Sequence, residues 1–373
     1  MQIEKQNDPF ITEHVVKAKF AIAAALLGVS AGAMAQSSVT LFGVLDEALV
    51  YANNAGGGAT VQMLDSYHWN TMWGLEGTDD LGGGLKANFY LANYFNLSNG
   101  QNFNSESFFY GGAWVGLSKE EYGAVTFGRH YDYSVYLLPN MPGVNATLAQ
   151  TPGNLDHTGG GYLNNALSYT SPTFGGVTFS GLYALPGGAT DPFNTGRAFS
   201  LSLTYRGSRL RAAAVATKIN GAYVTPTLAG MNTFLGQDVI PYAKVHVDSQ
   251  NIYGLSASYD LTSKFTVQAS YTDVAFAGFN QYESLRTATA SAVYAFAPDL
   301  KLTGAYQYAA LESGDMNTYS LFLDYFLSKQ TDVYAAAHYA QAGGASQSAV
   351  LFTLAPSSTS RQVAVAVGIR HFF

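Results

Sequence analysis

The ionisable residues placed closely enough to act together are His130 near Asp132 and Asp156 beside His157, the side chains from which general acid–base chemistry is built. Each pair is too close in sequence to define a catalytic constellation by itself. Past residue 35 no Gly-x-Ser-x-Gly elbow supplies a nucleophile. His68, His246, His338 and His371 are scattered without metal-ligand spacing, and the absence of cysteine removes thiol chemistry and the commonest zinc frameworks. The glycine runs 56–58, 82–84 and 159–161 lack the Lys-Ser/Thr continuation that cradles phosphate. These patterns offer no catalytic step and call for no cofactor or metal. The remaining charged residues must be read through the elements that carry them.

Those elements belong to an unusual chain. Of 373 residues 48% are hydrophobic and 14% aromatic, but only 12% are charged. Average soluble domains carry roughly 25% charged residues, so an ordinary cytosolic enzyme is excluded. Past position 35 no apolar run reaches the ~20 residues of a membrane helix, which excludes a helical bundle in lipid. The aromatic and aliphatic content excludes disorder. Lys17 and Lys19 precede an apolar run at 20–29 and the small-x-small signal Ala33-Met34-Ala35, so residues 1–35 read as an export signal cleaved before Gln36. The polar lead-in before it suggests a true start at Val15 or Val16. Cleavage removes three basic and three acidic residues and leaves the net charge at −7, with no basic patch for nucleic acid.

Beyond Val39 the pattern has period two. Val363, Val365, Val367 and Ile369 alternate with Ala364, Ala366, Gly368 and Arg370, and Tyr319, Leu321, Leu323 and Tyr325 with Ser320, Phe322 and Asp324. Ser, Thr, Gly, Ala and Asn dominate the polar faces, where a solvated outer surface would carry Lys and Glu freely. Tyr and Phe recur near the ends of the apolar faces, as a membrane-interface girdle requires. The reading is an all-β, 16-stranded antiparallel transmembrane barrel with apolar residues outward. Its segments are 39–52, 64–78, 84–97, 106–118, 122–130, 163–171, 176–186, 197–206, 209–219, 250–261, 264–276, 284–297, 300–312, 316–328, 331–342 and 361–373. Short turns alternate with long connections at 53–63, 131–162, 187–196, 220–249 and 343–360. An even count leaves no strand edge unpaired in lipid. In the first segment parity sends Glu47 outward with Leu45 and Leu49, which is costly against lipid and points to an oligomer interface there.

Several stretches resemble the general trimeric porins of Gram-negative β-proteobacteria. They are Ser38-Val39-Thr40-Leu41-Phe42-Gly43-Val44-Leu45-Asp46, Trp73-Gly74-Leu75-Glu76-Gly77-Thr78-Asp79-Asp80-Leu81-Gly82, Ala113-Trp114-Val115-Gly116-Leu117, Gly128-Arg129-His130-Tyr131-Asp132, Asn164-Asn165-Ala166-Leu167-Ser168-Tyr169, Tyr325-Phe326-Leu327-Ser328-Lys329 and the end from Arg361 to Phe373. The resemblance implies a homotrimer in the cell outer membrane, conducting small hydrophilic solutes and ions passively through each barrel. It implies that the third long connection, 131–162, folds inward as a constriction, and that Phe373 is the terminal aromatic read by the barrel-assembly machinery.

The resemblance also assigns the constriction. Such porins set an arginine cluster on the wall against carboxylates on the loop. In this chain the arginine before Trp-Gly is Met72, the second basic position of that strand is Glu76, and the arginine before Asn-Asn is Leu163. Only Arg129 matches. By parity Met72 and Glu76 should face water in the lumen. The loop centre, with Leu138 and Met141, holds no acid; Asp132 and Asp156 flank it, and Asp46 is a further candidate lumen charge. Selectivity in a channel follows the size and charge of its narrowest part, so the expectation is a weak transverse field with neutral to weakly cationic preference. Competing readings remain for single residues: Asp132 as an anchor bonding backbone amides, and Glu76 paired with Arg129 or Lys86. For the whole chain the competing readings are a substrate-specific channel and a surface adhesin with a closed lumen.

Overall fold

The computed structural model describes residues 37–140, 152–187, 195–311, 314–344 and 348–373. The expected export signal at residues 1–35 and Met141 lie outside the described residues, as does the side chain of Leu138. Alternating β-branched, aromatic and small residues extend the chain into sixteen strand positions. These are β1 (Ser38–Ala55), β2 in two pieces (β2a, Gly58–Asp65; β2b, Met72–Gly82), β3 (Leu85–Tyr94), β4 (Gly112–Lys119), β5 (Gly123–Tyr131), β6 (Tyr162–Thr170), β7 (Val177–Ala184) and β8 (Ala198–Arg206). The second half comprises β9 (Leu210–Val224), β10 (Val245–Asp260), β11 (Phe265–Gly278), β12 (Gln281–Ala297), β13 (Leu300–Leu311), β14 (Gly314–Phe326), β15 (Thr331–Gly344) and β16 (Arg361–Phe372).

Every strand pairs antiparallel with its chain neighbour, and β1 also pairs with β16 from Val44↔Phe372 to Ala52↔Ala364, which closes the barrel. Beyond that ladder Gly43 and Phe373 exchange both backbone hydrogen bonds at 3.0 Å. The Phe373 ring lies where a side chain on residue 43 would stand, 2.2 Å from an ideal Cβ, so the seam requires glycine there. Sealing in this way satisfies the backbone groups that an open sheet would leave bare in hydrocarbon.

The two faces separate as the sequence pattern requires. Val363, Val365, Val367 and Ile369 are exposed while Gln362, Ala364 and Ala366 are buried, and Leu201 and Leu203 are exposed while Ser200 and Ser202 are buried. Exposed Tyr169, Tyr205, Tyr259, Tyr294 and Tyr325 all stand near the strand ends that lead into short turns, forming one aromatic rim.

Several boundaries differ from expectation: the 220–249 connection shrinks to 225–244, and three further differences lie in the first four strands. The connection expected at 53–63 is a tight turn, with Ala55 paired to Gly58, and the irregular residues lie further on. The expected continuous segment 64–78 is broken at residues 66–71, so that β2a and β2b pair successive parts of β1. The fourth strand begins at Gly112 rather than 106, because residues 106–111 form turns. On the long-connection side the interior parity also changes character. Ile252, Val274, Phe276 and Leu285 fall on the face that carries Ser, Thr and Gln elsewhere, and they are buried against Met231, Phe234 and Leu235 of the 225–244 connection. Phe234 meets Phe276 edge-on at 5.2 Å, and Glu283 caps the Leu235 amide at 2.7 Å. Apolar residues face inward there because a connection covers them.

Candidate functional site

Arg129 stands opposite a bulge. Between Gly128↔Ala166 and His130↔Leu163 the extra residue lies in β6, so that Asn164 and Asn165 together face Arg129 of β5. Gly128 has φ +143°, and a Cβ there would lie 2.1 Å from the Ala113 carbonyl oxygen, so only glycine fits. Arg129 Nε donates to the Tyr110 carbonyl at 3.0 Å, and Nη1 donates to Asn164 Oδ1. Its guanidinium stands 4.5 Å from the Tyr162 ring centroid and 4.9 Å from that of Tyr110. Such contacts contribute about 0.5–1 kcal/mol each when exposed and more when desolvated. The charge is held in an aromatic cleft whose two rings are inclined at 58°.

Met72 occupies the neighbouring wall position, but it does not face water as parity suggested. It is buried with Val44 and Tyr94, packed by Phe42, Trp69, Tyr110, Tyr131 and Tyr162. The physical reason is local: the turn at 66–71 and the rings of adjacent strands cover it. Leu163 is also buried, in a separate cluster with Tyr133, Ala166, Leu182 and Ala198. Of Met72, Gly74 and Glu76, only Glu76 is exposed, directly opposite Tyr90 in register. Tyr90 begins a run of near-parallel rings on the same face. It stacks on Phe42 at 5.3 Å and on Trp114 at 5.7 Å, and Trp114 stacks on His130 at 5.8 Å. The described charges that stand in this region are therefore Arg129 and Glu76, set beside an aromatic ribbon.

Asp132 and Asp156 are brought together, though not as open carboxylates. Asp132 is fully buried; Oδ1 accepts from the Ser134 amide at 2.6 Å and from Thr217 Oγ1 at 3.2 Å, and Oδ2 accepts from His157 Nδ1 at 2.5 Å. Asp156 accepts from the Thr158 amide and hydroxyl at 3.1 and 2.8 Å and from Thr272 Oγ1 at 3.0 Å. The Tyr133 amide donates to Ser200 Oγ, the Tyr133 hydroxyl pairs with Ser168 Oγ, and Gln250 donates to the Leu155 carbonyl. Both feet of the 131–162 connection are thus tied to Ser, Thr and Gln side chains of β6 and β8–β11. Burial disfavours charge on His157, but the hydrogen bond and charge of Asp132, with the charge of Asp156 behind them, hold its pKa above the ordinary imidazole value.

Asp46 is likewise an anchor rather than an open lumen charge. Its Oδ2 accepts from the His68 and Trp69 amides at 2.8 and 2.5 Å, and Oδ1 accepts from the Tyr334 hydroxyl at 2.5 Å. Thr71 Oγ1 bridges the Asp46 amide and carbonyl at 3.0 and 2.9 Å. The carboxylate is spent on holding the turn that interrupts β2. Outward-pointing Glu47 is buried opposite Asp65, whose carboxylate accepts from the Ser98 amide and hydroxyl at 2.8 and 2.6 Å.

Sequence reasoning missed the tyrosine cleft around Arg129 and the pairing of His157 with Asp132. The repeated Tyr at 94, 110, 131 and 162 is the signal that could have found the first. The second joins residues that proximity in sequence had paired differently, His157 with Asp156 and His130 with Asp132.

A profile of the Gram-negative porin family matches residues 21–345. An outer membrane porin protein of Bordetella pertussis is 27% identical over 411 aligned positions, covering 95% of this chain and 100% of that one. Outer membrane porin protein 32 of Delftia acidovorans is 36% identical over 177 residues, 44% of this chain and 49% of that one. Among solved structures, an anion-selective porin from Comamonas acidovorans shares the fold with a TM-score of 0.75 at 23% identity, over 91% of this chain and 100% of that chain. The trimer form of OmpT from Vibrio cholerae does so with a TM-score of 0.63 at 12% identity, over 90% and 99%.

Proposed function

This chain belongs to the Gram-negative porin family, and on that premise we propose that its pore discriminates weakly between cations and anions. The protein is an outer-membrane porin, a channel for passive diffusion of small hydrophilic solutes and ions, and its family and fold point to a channel rather than an enzyme. The observation that carries the selectivity reading is the fate of the constriction charges. Asp132 and Asp156 are consumed as buried anchors, Met72 and Leu163 are apolar and buried, and Arg129 and Glu76 remain. One charge of each sign gives a weak net field. Reversal potentials in a salt gradient across a planar bilayer test this, and a marked anion preference would overturn it.

The connection 131–162 is the constriction loop in this reading. Its feet bond to residues on the polar face of the wall, which in a closed barrel is the lumen side. A homotrimer is proposed with β1, β2a and β16 at the interface. Their exposed Leu49, Val61, Met63, Val365 and Val367 surround buried Glu47 and support it, and the Vibrio cholerae relative is recorded as a trimer. Residues 1–35 are proposed as the export signal, with Gln36 as the first mature residue, checked by N-terminal sequencing. Phe373 is proposed as the terminal residue that the barrel-assembly machinery reads.

The ribbon of Phe42, Tyr90, Trp114 and His130 beside exposed Glu76 favours a second reading, a substrate-specific channel for solutes with a flat apolar face. Liposome swelling with sugars of graded size separates the readings. A general pore admits the small ones in order of size, a specific channel breaks that order, and an adhesin with a closed lumen admits none.

A further inference from the structure

The turn at 66–71 carries His68 onto the inner wall, where its ring stacks on Phe322 at 4.4 Å. There the imidazole and the carboxylates of Asp324 on β14 and Asp332 on β15 bring one donor atom each to within 4.8 Å of one another, and all three residues are at least nine-tenths buried. Arg370 occupies one side of the carboxylates, with Nε 3.0 Å from Asp332 Oδ1 and Nη2 3.9 Å from Asp324 Oδ2. The opposite atoms are left over. Among the described residues, Asp324 Oδ1, Asp332 Oδ2 and His68 Nδ1 have no hydrogen-bond partner. A buried polar atom without a partner loses its hydration with no return, so one such atom on each of three residues whose donor groups converge marks a place for something that accepts lone pairs.

We propose that His68, Asp324 and Asp332 form a binding site for a divalent transition-metal cation that clamps the 66–71 turn to the barrel wall. One imidazole nitrogen and two carboxylate oxygens are a donor set suited to Zn²⁺ or Mn²⁺, with further positions left for water. Ligand atoms around tetrahedral Zn²⁺ stand about 3.4 Å apart at bond lengths of ~2.1 Å, so the observed spacing closes with side-chain shifts of about 1 Å. The local charge favours a cation. Asp46 pairs with Arg370 in register across β1 and β16, and Lys301 faces Asp324 across β13 and β14. Three carboxylates thus surround two cationic side chains.

The test loads the folded, full-length channel with Zn²⁺, removes free metal by gel filtration and measures bound zinc by mass spectrometry. One equivalent per chain is expected in the wild type, with at least a tenfold loss of affinity in His68→Gln and in Asp324→Asn. His246→Gln, which alters an exposed imidazole, is expected to retain the metal. Zinc bound equally by wild type and a folded His68→Gln variant would overturn the site, as would no bound zinc in the wild type, which leaves the carboxylates sharing a proton. If the variants do not fold, X-ray absorption of the wild-type complex decides: one imidazole with carboxylate oxygens is expected, and two or more imidazoles would refute it.

Discussion

Asp132 and His157 stand at opposite feet of one long connection and meet at 2.5 Å, a contact that fixes where the loop leaves the wall and where it returns. The pair is nearly dry, with Asp132 fully buried and the His157 side chain 20% exposed. Because the folded His157 pKa lies above its ordinary value of about 6.5, the pair contributes fully below that pH and is lost as pH rises through the folded value. A charge-assisted hydrogen bond of this kind contributes about 1.5–3 kcal/mol. Open-channel current noise should therefore increase as pH is raised from about 6 to alkaline values, and His157→Gln should be noisy throughout. Identical pH profiles for the two proteins would sink this account.

Selectivity should respond to two residues in opposite senses. Arg129→Gln is expected to shift the reversal potential toward cation preference, and Glu76→Arg toward anion preference. Neutralising the acids at the feet of the loop should matter less, since neither Asp132 nor Asp156 presents an open carboxylate. If Asp156→Asn moved the reversal potential more than Arg129→Gln, the charge assignment would be wrong.

The backbone that leads into Arg129 depends on Gly128. An alanine there must adopt φ +143° and would set Cβ 2.1 Å from a backbone oxygen. Strain of this kind costs of order 1–3 kcal/mol before the clash is counted. Gly128→Ala should lower the denaturant midpoint of the refolded barrel and alter conductance together, whereas Gly175→Ala, in an open turn with nothing within 4 Å, should perturb stability less and leave conductance alone.

Tyr334→Phe leaves Asp46 Oδ1 without the hydroxyl that it accepts from at 2.5 Å. A buried acceptor stripped of its partner costs about 1–3 kcal/mol, more for a charged group. The expected result is a loss of stability of that size with an unchanged reversal potential, because Asp46 is an anchor and not an ion contact. A selectivity change without a stability change would return Asp46 to the lumen.

The barrel was legible because its rule is local: lipid demands an apolar side chain at every second position, and Val363 to Ile369 or Tyr319 to Tyr325 obey without exception. What escaped parity was decided by tertiary cover. Met72 keeps the parity of a lumen residue yet is buried, since Trp69 reaches it from a break in β2 that the alternation of Val61, Met63, Trp73 and Leu75 does not announce. Phe276 and Leu285 look misplaced on an interior face until the 225–244 connection is laid against them. At Arg129 and Glu76 the residue types could be read from the motifs, but their surroundings, Tyr110, Tyr162 and Asn164 for the first and Tyr90 for the second, come from distant strands and connections. At Asp132 the anchoring alternative was visible, but its partner His157 was not, because a contact across a loop leaves no trace in spacing.

The seam between Gly43 and Phe373 also governs when this molecule can become a barrel. Its two sides come from opposite ends of the described chain, so every other hairpin can zip with its sequence neighbour while β1 and β16 stay open. Until they meet, the sheet has two long unsatisfied edges, each a template for another chain. Ring closure over so great a sequence separation is slow and comes with an entropic penalty that local pairing does not carry. The last residues therefore complete the barrel only when the two edges meet, and the period before they engage is when aggregation competes.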